Sequence, residues 1–314
     1  MTTNESSAPP NIHCHRLGIT LSSTDIDALK PGEWVTDDVI DFYFKYLKRK
    51  YFPASRKYVY IPVNLANLLT ERALDNSLDH LAELASDANA LDFKTQCLAR
   101  PKQIRVAFIP IFGDGHWSLL VYKSQKPKLP EFLHFNSYLN STREHHTQCA
   151  RTALINLLYV FRQNDPSMVI SKESYKLVVK NCPQQNNGND CGIFVAMYAY
   201  VLSARLSKRE AHSRASSMQD IIKRISNLSF NCPSPTPPAS HRHNGNQRQR
   251  QDELSYSSKN PTKDSSSAIV GDSRDENAWK VKDKDVIPPD DMRSRIINTI
   301  HHEAAATSRS VASL

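Results

Sequence analysis

Cys191 closes the polar stretch Cys182-Pro183-Gln184-Gln185-Asn186-Asn187-Gly188-Asn189-Asp190 and opens an apolar run from Ile193 to Leu202. Pro, Asn and Gly suit a loop. The apolar run is too long for an ordinary strand, and its Ala and Met content favours helix. Cys191 therefore stands at or near a helix N-terminus. Free backbone N–H groups and the helix dipole favour a thiolate there, and the thiolate is the nucleophilic form of cysteine. A cysteine before an apolar helix is more often a small buried hydrophobe. The chemistry consequently needs partners.

His116 supplies the first partner. It follows the turn Phe112-Gly113-Asp114-Gly115 and opens an apolar strand through Trp117 to Tyr122. A lone histidine is usually a surface or satisfied core residue. Here the neighbouring tryptophan and the possible pairing with Cys191 favour a base. The next strand, Phe132-Leu133-His134-Phe135, ends at Asn136-Ser137. In an antiparallel pair, the start of one strand and the end of the next share a rim. Asn136 can there accept an imidazole N–H and fix its tautomer, completing a nucleophile, base and orienter.

Other elements must hold these residues in place. Ile19 to Leu29 reads as a short strand and a brief helix, with Ser22 or Ser23 as cap, and Pro31-Gly32 breaks it. Thr36 is a good N-cap for a helix carrying Val39, Ile40, Tyr43, Phe44 and Leu47 at helical spacing. Trp34 precedes that cap. It is either a staple on the first turn or a wall of a cleft, and on position alone the staple is favoured. Tyr58 to Pro62 is a strand, Val63 to Leu74 a helix, and 76–100 holds more helical sequence. Arg105 to Ile111 and Tyr175 to Val179 are strands, and Glu144 to Arg162 is an amphipathic helix. A separate amphipathic helix is expected over Met218 to Leu228.

Composition divides the chain. Residues 1–11 are expected to be disordered, 12–230 to form one globular domain, and 231–314 to be a largely disordered tail with a helix possible at 292–306. The net charge is +8, and acids and bases nearly balance after residue 231, so the excess belongs to the folded part. A basic surface suits an acidic partner or is simply solvated. No nucleic-acid-binding signature accompanies it. The six cysteines, Cys14, Cys97, Cys149, Cys182, Cys191 and Cys232, show no C-x-x-C pair or zinc-ligand spacing. His13-Cys14-His15 lacks a second half for a metal site. No signal peptide or membrane-length apolar stretch is evident, so the expected compartment is reducing, cytoplasmic or nuclear.

Taken together, Gly115-His116-Trp117-Ser118-Leu119-Leu120-Val121-Tyr122, Phe135-Asn136-Ser137 and Gln184-Gln185 to Asp190-Cys191-Gly192 resemble the Ulp/SENP class of cysteine peptidases. Trp34 to Val39 is similar to that family's W-x-x-D-x-I motif, with Val39 in the last place. The resemblance covers about 19–206. It implies an α+β, papain-like or adenain-like fold: a central, mostly antiparallel sheet, flanking helices, and a helix starting at the nucleophile. It implies removal of a ubiquitin-like modifier with a Gly-Gly end from its conjugates, or maturation of its precursor. The sequence looks most like the deneddylase branch, which acts on cullin-like conjugates, and the position of the domain near residue 1 is read in the same direction. By this resemblance Cys191 is the nucleophile, His116 its base, Asn136 the orienter and Gln185 an oxyanion-hole amide. Trp34 and Trp117 are the indoles that close over the diglycine, and Asp37 lies near the modifier's basic C-terminal segment, with helix capping as its competing role. No metal or organic cofactor is implied. The family usually has aspartate where this chain has Asn136. The alternatives are the same chemistry on SUMO or ubiquitin, a catalytically weakened modifier-binding protein, and an acyltransferase of the same architecture.

Overall fold

A hairpin of two long strands lies in the middle of the main sheet. In the computed structural model, which describes residues 12–14, 17–71, 101–124, 129–138, 143–165, 175–229 and 278–311, β4 spans Val106–Gly113 and β5 spans His116–Lys123. Asp114 (φ 46°) and Gly115 (φ 67°) are both left-handed and form the two-residue connection, the geometry that matches strand twist in a tight hairpin. It places His116 at the first position of β5.

β3 (Tyr58–Tyr60), β6 (Glu131–Phe135) and β7 (Lys176–Val179) complete a five-stranded sheet in the order β3-β4-β5-β6-β7. The long central ladders, β4–β5 and β5–β6, are antiparallel. The short outer ladders, β3–β4 and β6–β7, are parallel. Each outer pair is joined through a long connection, the only kind that can reverse the chain for a parallel partner. β1 (Ile12–Cys14) and β2 (Ile19–Leu21) form a separate antiparallel pair.

Strand alternation splits the core in two. Val106 and Phe108, Trp117, Leu119 and Val121, and Leu133 and Phe135 join one cluster. It also includes residues of α2 (Asp37–Tyr51), α5 (Cys191–Ser229) and α6 (Pro289–Val311). Ala107, Ile109, Ile111, Leu120, Tyr122 and Phe132 face the other way, with α3 (Val63–Glu71) and α4 (Arg143–Asn164). Both faces are covered, which is why these strands read as continuous apolar runs. α1 (Ser23–Asp27) is closed by a Ser22–Asp25 capping box, and Asp25 also accepts from the Thr36 hydroxyl that caps α2.

Two expectations change. The helix from Cys191 does not stop before Met218; it runs unbroken to Ser229, since no Gly or Pro interrupts Ile193 to Ser229. The region from 278 to 311 is not tail. The compact unit carrying the sheet comprises Met1–Lys208 with Glu276–Leu314, and Arg209–Asp275 forms a second unit. The described part of that second unit is helical, with Arg214 3.2 Å from Glu210 one turn earlier. In α6, Pro289 takes the first position, where its missing N–H costs nothing, and Asp290 and Asp291 suit the dipole. Met292, Ile296 and Ile300 are fully buried. The expected disorder of 1–11, the helical matter at 76–100, Cys97 and Cys232 lie outside the described residues. Among the described residues no helix is long and apolar enough to cross a membrane.

Candidate active site

Cys191 is the first residue of α5, and the Phe194 N–H bonds the Asp190 carbonyl, so Asp190 is the N-cap. Gly192 has a steric reason. A Cβ there would lie 2.9 Å from Cβ of Val35 and 3.4 Å from the Trp117 indole. Without one, the segment entering α2 packs directly on the start of α5. Cys191 is buried, and the backbone N–H groups of Trp117, Cys191 and Gly192 lie near its sulfur.

The imidazole geometry is unambiguous. His116 Nε2 lies 2.9 Å from Asn136 Oδ1, which also accepts the Tyr138 N–H at 2.9 Å. A backbone N–H can only donate, so the Asn136 atom must be the oxygen. His116 therefore donates from Nε2 and keeps Nδ1 unprotonated, free to act as base. Asn136 Nδ2 is buried with no partner among the described residues.

Gln185 is held from three directions. Ser137 Oγ donates to Oε1 at 2.7 Å, Gln185 Nε2 donates to the Asn187 carbonyl at 2.7 Å, and the Gln185 N–H donates to the Ser137 carbonyl at 2.9 Å. One amide hydrogen is left over. Asn136-Ser137, at the end of β6, thus fixes both the imidazole and the amide. Ser137 was not among the residues singled out in the sequence. Its position beside Asn136 was the available signal.

Three more residues surround His116. The His146 ring meets it edge-on at 4.6 Å, and Ser118 Oγ is 3.0 Å from His134 Nε2 and 3.5 Å from His146 Nδ1. Burial lowers the pKa of His116, with the Asn136 bond opposing, and drives His134 to about 3 and His146 to about 4. Burial raises Cys191, against its N–H bonds, and the Asp190 charge adds to the rise. Desolvation thus works against the N-terminal amides that favour a thiolate. Burial favours the uncharged form of both the thiol and the imidazole. Among the described residues, no group of three or more His, Cys, Asp and Glu is arranged for a metal.

The two tryptophans separate. Val35, the residue before the Thr36 cap, is the apolar group buried with Ile40 of the first turn. That leaves Trp34 48% exposed, with its Cη2 3.4 Å from where a Gly115 Cβ would be. The indole thus overlies the turn that presents His116. Trp117 is 2% exposed and packs on the half-exposed Phe112 at 4.7 Å, so it lies beneath the surface rather than on it. Asp37 is exposed on the first turn of α2.

A sequence model described as the Ulp1 protease family, C-terminal catalytic domain, matches residues 33–232. The chain belongs to the Ulp1 protease family. It is a cysteine peptidase, a hydrolase, with the mixed α+β fold of that family. Human Sentrin-specific protease 8 is 24% identical over 201 residues, covering 62% of this chain and 82% of that protein. NEDD8-specific protease 1 of Arabidopsis thaliana is 27% identical over 184 residues, covering 59% and 72%. Among solved structures, the C-terminal Ulp1 protease domain in complex with Smt3, the yeast ortholog of SUMO, is 23% identical over 59% of this chain and 73% of that one, with a TM-score of 0.43.

For this Ulp1-family site, asparagine at 136 has a measurable consequence. Asn136→Asp would place a negative charge on the imidazole. Imidazolium, and with it the thiolate, would then be favoured. The pH profile of Cys191 alkylation by iodoacetamide is expected to move to lower pH by roughly one unit. An unmoved profile would show that Asn136 does not govern the charge state of the pair.

Proposed function

We propose that the protein cleaves the bond after the Gly-Gly end of a ubiquitin-like modifier, with the neddylation modifier as preferred substrate and cullin-like proteins among the conjugates. The observation that supports the catalytic reading is the His116–Asn136 bond, which leaves Nδ1 unprotonated, together with the close approach of Gly192, the residue after Cys191, to Trp117, the residue after His116. His116 Nδ1 takes the thiol proton as the sulfur attacks the glycine carbonyl carbon. The oxyanion is met by the Cys191 N–H and the spare Gln185 amide hydrogen. The imidazolium returns the proton to the leaving amine, and the C–N bond breaks to leave a thioester. Water, deprotonated by His116, then releases the modifier carboxylate and restores the thiol.

Trp34 over the Gly115 turn forms one wall of a slot that favours residues without side chains. By the family resemblance, Trp117 backs this slot and Asp37 meets basic residues preceding the diglycine. Similarity to a protease named for NEDD8 supports the choice of modifier.

Fusions of the neddylation modifier, SUMO and ubiquitin to a common reporter test this choice. The first is expected to be cut at least about tenfold faster, as kcat/KM, than the others. Faster cleavage of SUMO or ubiquitin would overturn the preference while leaving the peptidase chemistry in place.

A further inference from the structure

One side chain of α6 reaches the start of the candidate catalytic helix. Arg293 is 2% exposed and donates four hydrogen bonds. Nη1 donates to the carbonyls of Ala28 (3.1 Å) and Lys30 (2.9 Å). Nη2 donates to the carbonyl of Glu33 (2.8 Å) and to Asp190 Oδ1 (2.7 Å). The three carbonyls belong to the turn that leads into Trp34. Asp190 is the residue before Cys191. A planar fork of fixed donors suits this convergence, whereas a point charge on a flexible stem does not.

The connection continues past Asp190. Its Oδ2 accepts from Asn187 Nδ2 at 2.7 Å, and the Asn187 carbonyl accepts from Gln185 Nε2. Asn187 Oδ1 takes the backbone N–H of Asp190 at 3.1 Å. A single relay, Arg293 to Asp190 to Asn187 to Gln185, therefore runs from the C-terminal helix to the oxyanion amide. α6 itself is anchored by Met292, Ile296 and Ile300, by Arg49 to Glu303 at 2.8 Å, and by Arg295 over the Tyr200 ring.

We propose that Arg293 is a positioning residue that sets Trp34, Cys191 and Gln185 relative to one another, so that the site is assembled only with α6 docked. The proposal rests on the reading of Cys191 as nucleophile. A buried ion pair is weak grounds for stability in itself, because desolvation offsets its Coulombic gain. What this one supplies is register: it joins the turn before α2 to the N-cap of α5. It also balances charge. Among the described residues, Asp190 precedes the thiol, Arg293 pairs with Asp190, and His116 opens the strand whose next residue, Trp117, approaches Gly192. With the guanidinium removed, the Asp190 carboxylate would oppose the thiolate uncompensated.

The test compares wild-type full-length protein with Arg293→Lys, Arg293→Met and Ile300→Ala, using a fluorogenic substrate built on the neddylation modifier, Cys191 alkylation against pH, and thermal melting. Arg293→Lys keeps the charge and loses the fork. Its kcat/KM is expected to fall about tenfold with an alkylation profile close to wild type. Arg293→Met is expected to lose about 100-fold, with the alkylation profile displaced to higher pH by about one unit. Ile300→Ala removes packing but not the fork. It should lower the melting temperature and, below the melting range, leave kcat/KM within about twofold.

Wild-type kcat/KM in Arg293→Lys, or a wild-type alkylation profile in a folded Arg293→Met, would overturn the proposal. If Arg293→Met does not fold, the other two variants decide: losses that merely track melting temperature would reduce Arg293 to a packing residue. A wild-type protein whose Cys191 takes no modifier at all would instead bring down the peptidase site, and the positioning role with it.

Discussion

His116→Ala is expected to lower kcat/KM for modifier cleavage about 1,000-fold with the fold intact. The size follows from the resting charge state. Burial holds the Cys191 thiol above its ordinary pKa, so little thiolate exists near neutrality without a base. No neighbouring histidine can substitute. His134 and His146 are pushed to about 3 and about 4, and both are tied to Ser118. The leaving amine would also lose its proton donor. The check is steady-state cleavage of a fluorogenic modifier substrate, with circular dichroism for the fold. A loss below about tenfold would remove His116 from the role of base.

Cys191→Ala is expected to have the largest effect: cleavage at background level, with modifier binding retained. The sulfur lies at the first position of α5, near the backbone N–H groups of Cys191, Gly192 and, from β5, Trp117. Its methyl-sized replacement keeps the contacts of Cβ and leaves Gly192 and Val35 as they are. The variant should therefore melt close to wild type and still bind the modifier in a pull-down or by calorimetry. Residual turnover in this variant would mean that the acyl group is carried elsewhere.

The parts of the site that depend on short-range pattern are legible in the sequence. Asp114-Gly115 dictates a tight hairpin, so the strand that follows must start at His116 and run beside the one that ends at Asn136. The polar stretch before Cys191 and the apolar run after it announce a loop and a buried helix. What is not legible depends on tertiary surroundings. The helix N-terminus argues for a thiolate, yet the burial of Cys191 works against it. Trp34 reads as a staple, but Val35 takes the inside position and turns the indole outward. The resemblance makes Trp117 one of two indoles at the diglycine, and its burial beneath Phe112 is a matter of packing that sequence does not show.

The greatest gap concerns Arg293. The spacing of Ile296, Ile297 and Ile300 shows a helix with an apolar stripe, but not its partner. The segment is separated from Asp190 by 103 residues, and much of the intervening sequence is polar and Pro-rich. Local pattern therefore leaves open whether it docks on the domain, docks on a partner or stays unfolded. Only the packed structure shows its guanidinium at the N-cap of α5. Ser137 is a milder case: its value lies in a bond to Gln185 across 48 residues, which no local spacing encodes.

The most direct measurement is the reaction of wild-type protein and Cys191→Ala with a neddylation-modifier probe carrying a vinyl sulfone in place of its terminal carboxylate. The adduct is followed by intact mass and mapped by peptide digestion. A single adduct on Cys191 in the wild type, absent from Cys191→Ala, is the predicted result. An adduct on another cysteine, or no adduct with this probe or its SUMO and ubiquitin counterparts, would contradict the account.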